Sequence, residues 1–91
     1  MLYIICYDIS DDRIRNEMSD RLLGFGVRIQ ESVFECILDP SGYARMIGSV
    51  QNVRLASLDK LRVYKACQNC LDAIRIYGPG EVTQDPDYYV V

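Results

Sequence analysis

The apolar positions fall into two periods. Residues 2–8, LYIICYD, are apolar without alternation until Asp8, which predicts a central strand covered on both faces. Ser10 is a good helix N-cap, and Asp11 and Asp12 suit the positive end of a helix dipole. Ile14, Met18, Leu22 and Phe25 then recur at helical spacing, and GFGV places a C-cap at Gly24 or Gly26. Residues 28–38, RIQESVFECIL, alternate instead: Ile29, Val33 and Ile37 share one face, and Phe34, Cys36 and Leu38 the other. With no Gly or Pro inside, this is one long strand, or two short ones joined by a bulge near Ser32.

A second helix is predicted after Pro40, with Tyr43, Ile47 and Val50 as its stripe. KLRVYKA is a further strand. CQNC forms a short turn or helix leading into AIRIY, GPGEVTQDPD is a loop, and YYVV is a β-prone tail. The order β-α-β-α-β-β with a terminal β describes two helices on an antiparallel-dominated sheet. Right-handed crossovers put both helices on one face, leaving the other face of the first strand bare. Burial therefore asks for a second copy of the chain, a homodimer in which the tail completes the partner's sheet.

Length and charge sharpen this picture. A 91-residue chain buries only about 60–65% of its unfolded surface, so association adds to a modest core. No apolar run approaches the roughly 18–20 residues of a membrane span, and the N-terminal run lacks the basic start of a secretory signal. A cytoplasmic protein without a membrane partner is expected. The net charge of −3 and a pI near 4.7 argue against a broadly basic nucleic-acid-coating surface. Four cysteines and no histidine remove Cys–His and Ser–His–Asp catalysis and any histidine-containing zinc site. Chemistry must rest on carboxylates, a metal, a hydroxyl, a thiol or arginines.

Asp8 is the sharpest candidate, an acid at the carboxyl end of a buried strand beside a helix start. If a dimer axis passes there, two copies meet, and paired carboxylates share a proton or bind a hard cation such as Mg²⁺. The structural alternative is that Asp8 hydrogen-bonds the turn amides at the strand end. Ser10 faces the same choice between site and cap. Arg13, Arg15 and Arg28 are either a phosphate-binding patch or a solvated face pairing with Asp11, Asp12 and Glu17. Tyr7 and Phe34 contact bases or ribose, or else belong to the core or the dimer interface. Cys67 and Cys70 have CxxC spacing, which marks half a zinc site or a redox pair. A zinc site would need Cys6 and Cys36, which read as strand residues, and a thioredoxin-type motif belongs near the start of its fold, so the pair reads as packing cysteines.

LYIICYDISDD followed by RIRN, then GFGVRIQESVFECIL, resembles the CRISPR-associated protein 2 family, the smaller core protein of spacer acquisition. LRVYKACQNCLDAIRIYG and the tail also match, so the likeness covers nearly the whole chain. It implies an α+β ferredoxin-like domain over residues 1–91 with the C-terminal strand packed on the partner protomer. It also implies that Asp8 is a metal-associated acid paired across the dimer axis. Tyr7 precedes that acid as expected. Arg15 and Arg28 match basic positions linked to nucleic acid, and Ser32 and Phe34 match the Gln-x-Ser-Val-Phe segment. Glu17 departs, standing where some members carry an arginine. The family implies two roles: Mg²⁺-dependent endonuclease on RNA or double-stranded DNA, and dimeric bridge between copies of the integrase subunit, CRISPR-associated protein 1. An endoribonuclease toxin of related fold is the alternative, though it would not carry the full motif set.

Overall fold

The structure, a computed structural model, describes residues 1–80. Its elements are β1 (Leu2–Asp8), α1 (Asp12–Leu23), β2 (Val27–Gln30), β3 (Val33–Ile37), α2 (Pro40–Val50), β4 (Lys60–Ala66) and α3 (Gln68–Asp72). The four strands form one sheet in the order β2-β3-β1-β4 with every neighbouring pair antiparallel. With α1 and α2 on one face, this is the expected α+β ferredoxin-like arrangement. The tail YYVV lies outside the described residues.

Strand parity divides β1. Tyr3, Ile5 and Tyr7 are buried with Phe34 and Cys36 of β3, Met18 and Leu22 of α1, and Met46 and Val50 of α2. Tyr3 also stacks on Tyr43, ring centroids 4.5 Å apart. Ile4 and Cys6 point the other way and are half-buried, and Asp8 on the same face is exposed. The continuous apolar run thus marks a strand that α1 and α2 cover on one side only, although Leu2, at the start of the other side, is 1% exposed.

Asp11, not Ser10, caps α1. Its carboxylate accepts from the Ile14 N–H at 3.0 Å, as Asp39 accepts from Gly42 N–H at the start of α2, with Pro40 opening the first turn. The buried line of α2 is Gly42, Met46 and Val50, with Tyr43 and Ile47 packed at its margin.

Residues 28–38 are two strands. The bulge falls between Arg28 and Gln30, not at Ser32, and Glu31 and Ser32 form a two-residue turn. The turn lacks Gly because β1 holds it: Tyr7 donates its hydroxyl to the Glu31 carbonyl and its backbone N–H to the Ser32 carbonyl, both at 3.1 Å. Gly26 feeds β2 into place. A Cβ there would meet the Glu35 carbonyl oxygen at 2.4 Å, Cys36 Sγ at 2.5 Å and Cys36 Cα at 2.9 Å, so only glycine lets the chain cross β3 this closely.

AIRIY is not a strand in the described chain. After α3 the chain is irregular from 74, and Tyr77 is 93% exposed. Among the described residues β4 is therefore an edge of the sheet.

Candidate functional site

The predicted site residues fall into two groups on opposite faces of the sheet. Asp8 ends β1 on the face the helices leave open. Its cross-strand partner is Lys60, and two residues along, Arg62 lies opposite Cys6. Directly opposed side chains share a face, so Asp8 sits beside two cations in a protein of net charge −3. Sequence reading missed both; the signal was there in KLRVYKA once its register against β1 was known. Arg62 also donates to the Tyr64 hydroxyl at 3.3 Å, which raises its already high pKa.

The turn after β1 is held by a different acid. Asp59 Oδ1 accepts from the Ser10 N–H at 3.2 Å and the Ser10 hydroxyl at 3.4 Å, and Oδ2 accepts from the Ala56 N–H at 2.9 Å. These donors, Ala56 first, hold the Asp59 carboxyl below its ordinary value. Ser10 is thus neither the helix cap nor a group aimed at Asp8; it ties the strand end to the loop before β4. The structural work expected of Asp8 is done by Asp59. Among the described residues the Asp8 carboxylate has no hydrogen-bond or ion-pair partner.

The second group lies on the helix side. Tyr7 and Phe34 are 4% and 0% exposed, with ring centroids 6.4 Å apart, so they are core residues rather than base-stacking surfaces. The Arg28 guanidinium sits 5.6 Å above the Phe34 ring and donates to the Ser19 hydroxyl at 2.7 Å. Ser19, itself buried, lies one helical turn from Arg15. Arg15 donates to the Ile9 carbonyl at 3.1 Å and pairs with Asp12. Arg15 and Arg28 therefore share one side of α1, oriented by protein acceptors. Arg13 is exposed with no partner among the described residues. Ser32 is half-buried in the turn held by Tyr7, and Glu17 stands 4.0 Å from Arg21.

For a metal, the described residues of one chain contain no group of three or more His, Cys, Asp or Glu that could hold an ion. Asp8 nonetheless has the chemistry a hard cation uses: an exposed carboxylate with unengaged lone pairs, able to complete a site that keeps several waters. Cys6 and Cys36 face opposite sides of the sheet, so they cannot join Cys67 and Cys70 in a zinc site. No helix of the described residues is long and apolar enough to cross a membrane.

Residues 1–74 match the family model described as CRISPR associated protein Cas2. A protein named CRISPR-associated endoribonuclease Cas2 3 from Synechocystis is 38% identical over 90 residues, covering 99% of this chain and 98% of that one. Among solved structures, the hypothetical protein TT1823 from Thermus thermophilus superposes with a TM-score of 0.76 at 31% identity, covering 89% of this chain and 94% of its own. A chain of a partial Cas6-RT-Cas1–Cas2 complex gives 0.73 at 23% identity over 99% and 98%.

Proposed function

Since this chain belongs to the CRISPR associated protein Cas2 family, we propose that it acts in CRISPR spacer acquisition as a homodimer that binds nucleic acid and bridges the integrase subunit, CRISPR-associated protein 1. The observation that carries this reading is the Asp8 carboxylate, exposed and, among the described residues, unpartnered on the sheet face that α1 and α2 leave open. A residue with no structural task at the end of a well-packed strand is best explained by a partner outside the chain.

The dimer forms through that open face. Ile4, Cys6, Val33 and Ile37 are half-buried there, with Val27 and Tyr64 about half exposed, an apolar surface that a second copy would cover. Packing two copies near the end of β1 brings the Asp8 carboxylates together. The edge strand β4 is open to the partner's C-terminal segment, and the complex named for a structural neighbour supports a Cas1-type partner.

Arg13 supplies a free guanidinium for phosphate oxygens. Arg15 and Arg28 add oriented charge along the same helix region, each keeping N–H groups beyond those used within the chain. Two Asp8 carboxylates would hold Mg²⁺, and when bound the ion neutralises phosphodiester charge and makes a bound water more acidic. Lys60 and Arg62 add positive charge on the Asp8 face, attracting the polyanion. Endonuclease action on RNA or double-stranded DNA is the second role, of which the name of the Synechocystis relative, an endoribonuclease, supports the RNA part.

The test is cleavage of labelled single-stranded RNA and duplex DNA with and without Mg²⁺, run beside Asp8→Asn. Loss of cleavage in the variant and with chelator is expected if Asp8 is a metal ligand. Absence of cleavage sinks the nuclease role and leaves the bridge; equal cleavage by both forms sinks Asp8 as a catalytic metal ligand. Sedimentation at micromolar concentration tests the dimer: a species of 10.4 kDa would refute it.

A further inference from the structure

Cys67 and Cys70 have no place in the site above. They bracket the start of α3, with Cys67 at its N-cap, and both are exposed. Their sulfurs lie 3.3 Å apart and share a hydrogen bond. A disulfide has an S–S length of about 2.05 Å, so closing the pair is a small movement within one turn. The four cysteines differ sharply in character. The Cys70 backbone N–H, and next the Cys70 thiol, hold the Cys67 thiol below its ordinary value, favouring the thiolate. Burial pushes the Cys36 thiol up to about 11. Cys6 is half-buried on a β-strand. Reactivity follows thiolate character and access, which singles out Cys67 as the attacking sulfur and Cys70 as its resolving neighbour.

We propose that Cys67 and Cys70 form a two-electron redox site that closes to an intramolecular disulfide by exchange with a small-molecule disulfide. The Cys67 thiolate attacks one sulfur of the oxidant, the oxidant's S–S bond breaks, and one thiolate departs and takes up a proton. This leaves a mixed disulfide on Cys67. Cys70 gives its proton to solvent and its sulfur attacks Cys67 Sγ, expelling the second small thiolate. Two protein thiols are oxidised and one small disulfide is reduced to two thiols. The bridge spans the turn by which the chain leaves β4 for residues 73–80, so oxidation stiffens that exit.

The purified chain is equilibrated with glutathione and glutathione disulfide at graded ratios, acid-quenched, alkylated with a maleimide and mapped by mass spectrometry. The expected result is that Cys67 and Cys70 lose their alkylation together, that a peptide carrying both in a disulfide accumulates, and that excess reduced glutathione restores both thiols. Cys70→Ser should instead trap glutathione on Cys67. The variant alters an exposed position, and circular dichroism confirms its folding. The proposal is overturned if the wild type ends as a stable glutathione adduct or an interchain disulfide, or if both thiols remain alkylatable under the most oxidising ratio.

Discussion

Gly26→Ala adds one methyl group where the backbone leaves no room. The new Cβ would lie 2.4 Å from the Glu35 carbonyl oxygen and 2.9 Å from Cys36 Cα, both backbone atoms of β3, and 2.5 Å from Cys36 Sγ. Cys36 is fully buried, so its sulfur has no open space to swing into. Relief must come from lifting β2 off β3. Overpacking of this kind costs about 1–3 kcal/mol, and each kcal/mol lowers the melting temperature of a domain this size by about 4–8 °C. Thermal unfolding of Gly26→Ala, followed by far-ultraviolet circular dichroism, should therefore show a melting temperature at least about 4 °C lower. Protein concentration must be held fixed, because the proposed dimerisation would make the melting temperature concentration-dependent. Adding Cys36→Ala to the variant removes the sulfur but neither backbone contact, so it should not restore stability. Because Arg28 follows two residues later on β2, its contact with Ser19 should loosen as well. A variant melting within about 1 °C of the wild type would refute the close-approach reasoning.

Tyr7→Phe removes the hydroxyl that donates to Glu31 and should cost about 0.5–1.5 kcal/mol by urea denaturation, with the ring packing intact. Asp59→Ala should lower the urea midpoint at neutral pH. The Asp59 carboxyl is depressed in the folded state, so its contribution is complete above its ordinary value of 3.8 and fades as pH falls through the lower folded value; the gap between variant and wild type should therefore close in acid. Under the proposed nucleic-acid role, Arg13→Ala should weaken duplex binding equally for all sequences. It should also reduce the slope of log affinity against log salt by about 1, measured by fluorescence anisotropy, while leaving the melting temperature unchanged.

Local patterning was enough to locate β1, α1, α2 and β4, because each carries its own periodicity, with Gly24 closing α1 and Pro40 opening α2. The motif around Asp8 and Arg28 likewise named the family from sequence. What local rules could not supply were features set by groups far apart in the chain. The hairpin turn at Glu31 and Ser32 has no turn residue of its own and rests on Tyr7, 24 positions from Glu31. Ser10 reads as a cap, yet Asp59, 49 positions away, takes its hydrogen bonds, leaving Asp11 to cap the helix. Strand alternation predicts that Tyr7 and Asp8 face apart, but only the packing of both helices onto the Tyr7 side decides which is core and which meets solvent. AIRIY has the composition of a strand, but strand formation requires a pairing edge, and in the described chain α3 turns it away from β4. Composition and period thus determine which segments are helix or strand. The identity of the open face, and so the exposure of Asp8, belongs to the tertiary structure, because burial is a property of neighbours that sequence distance does not reveal.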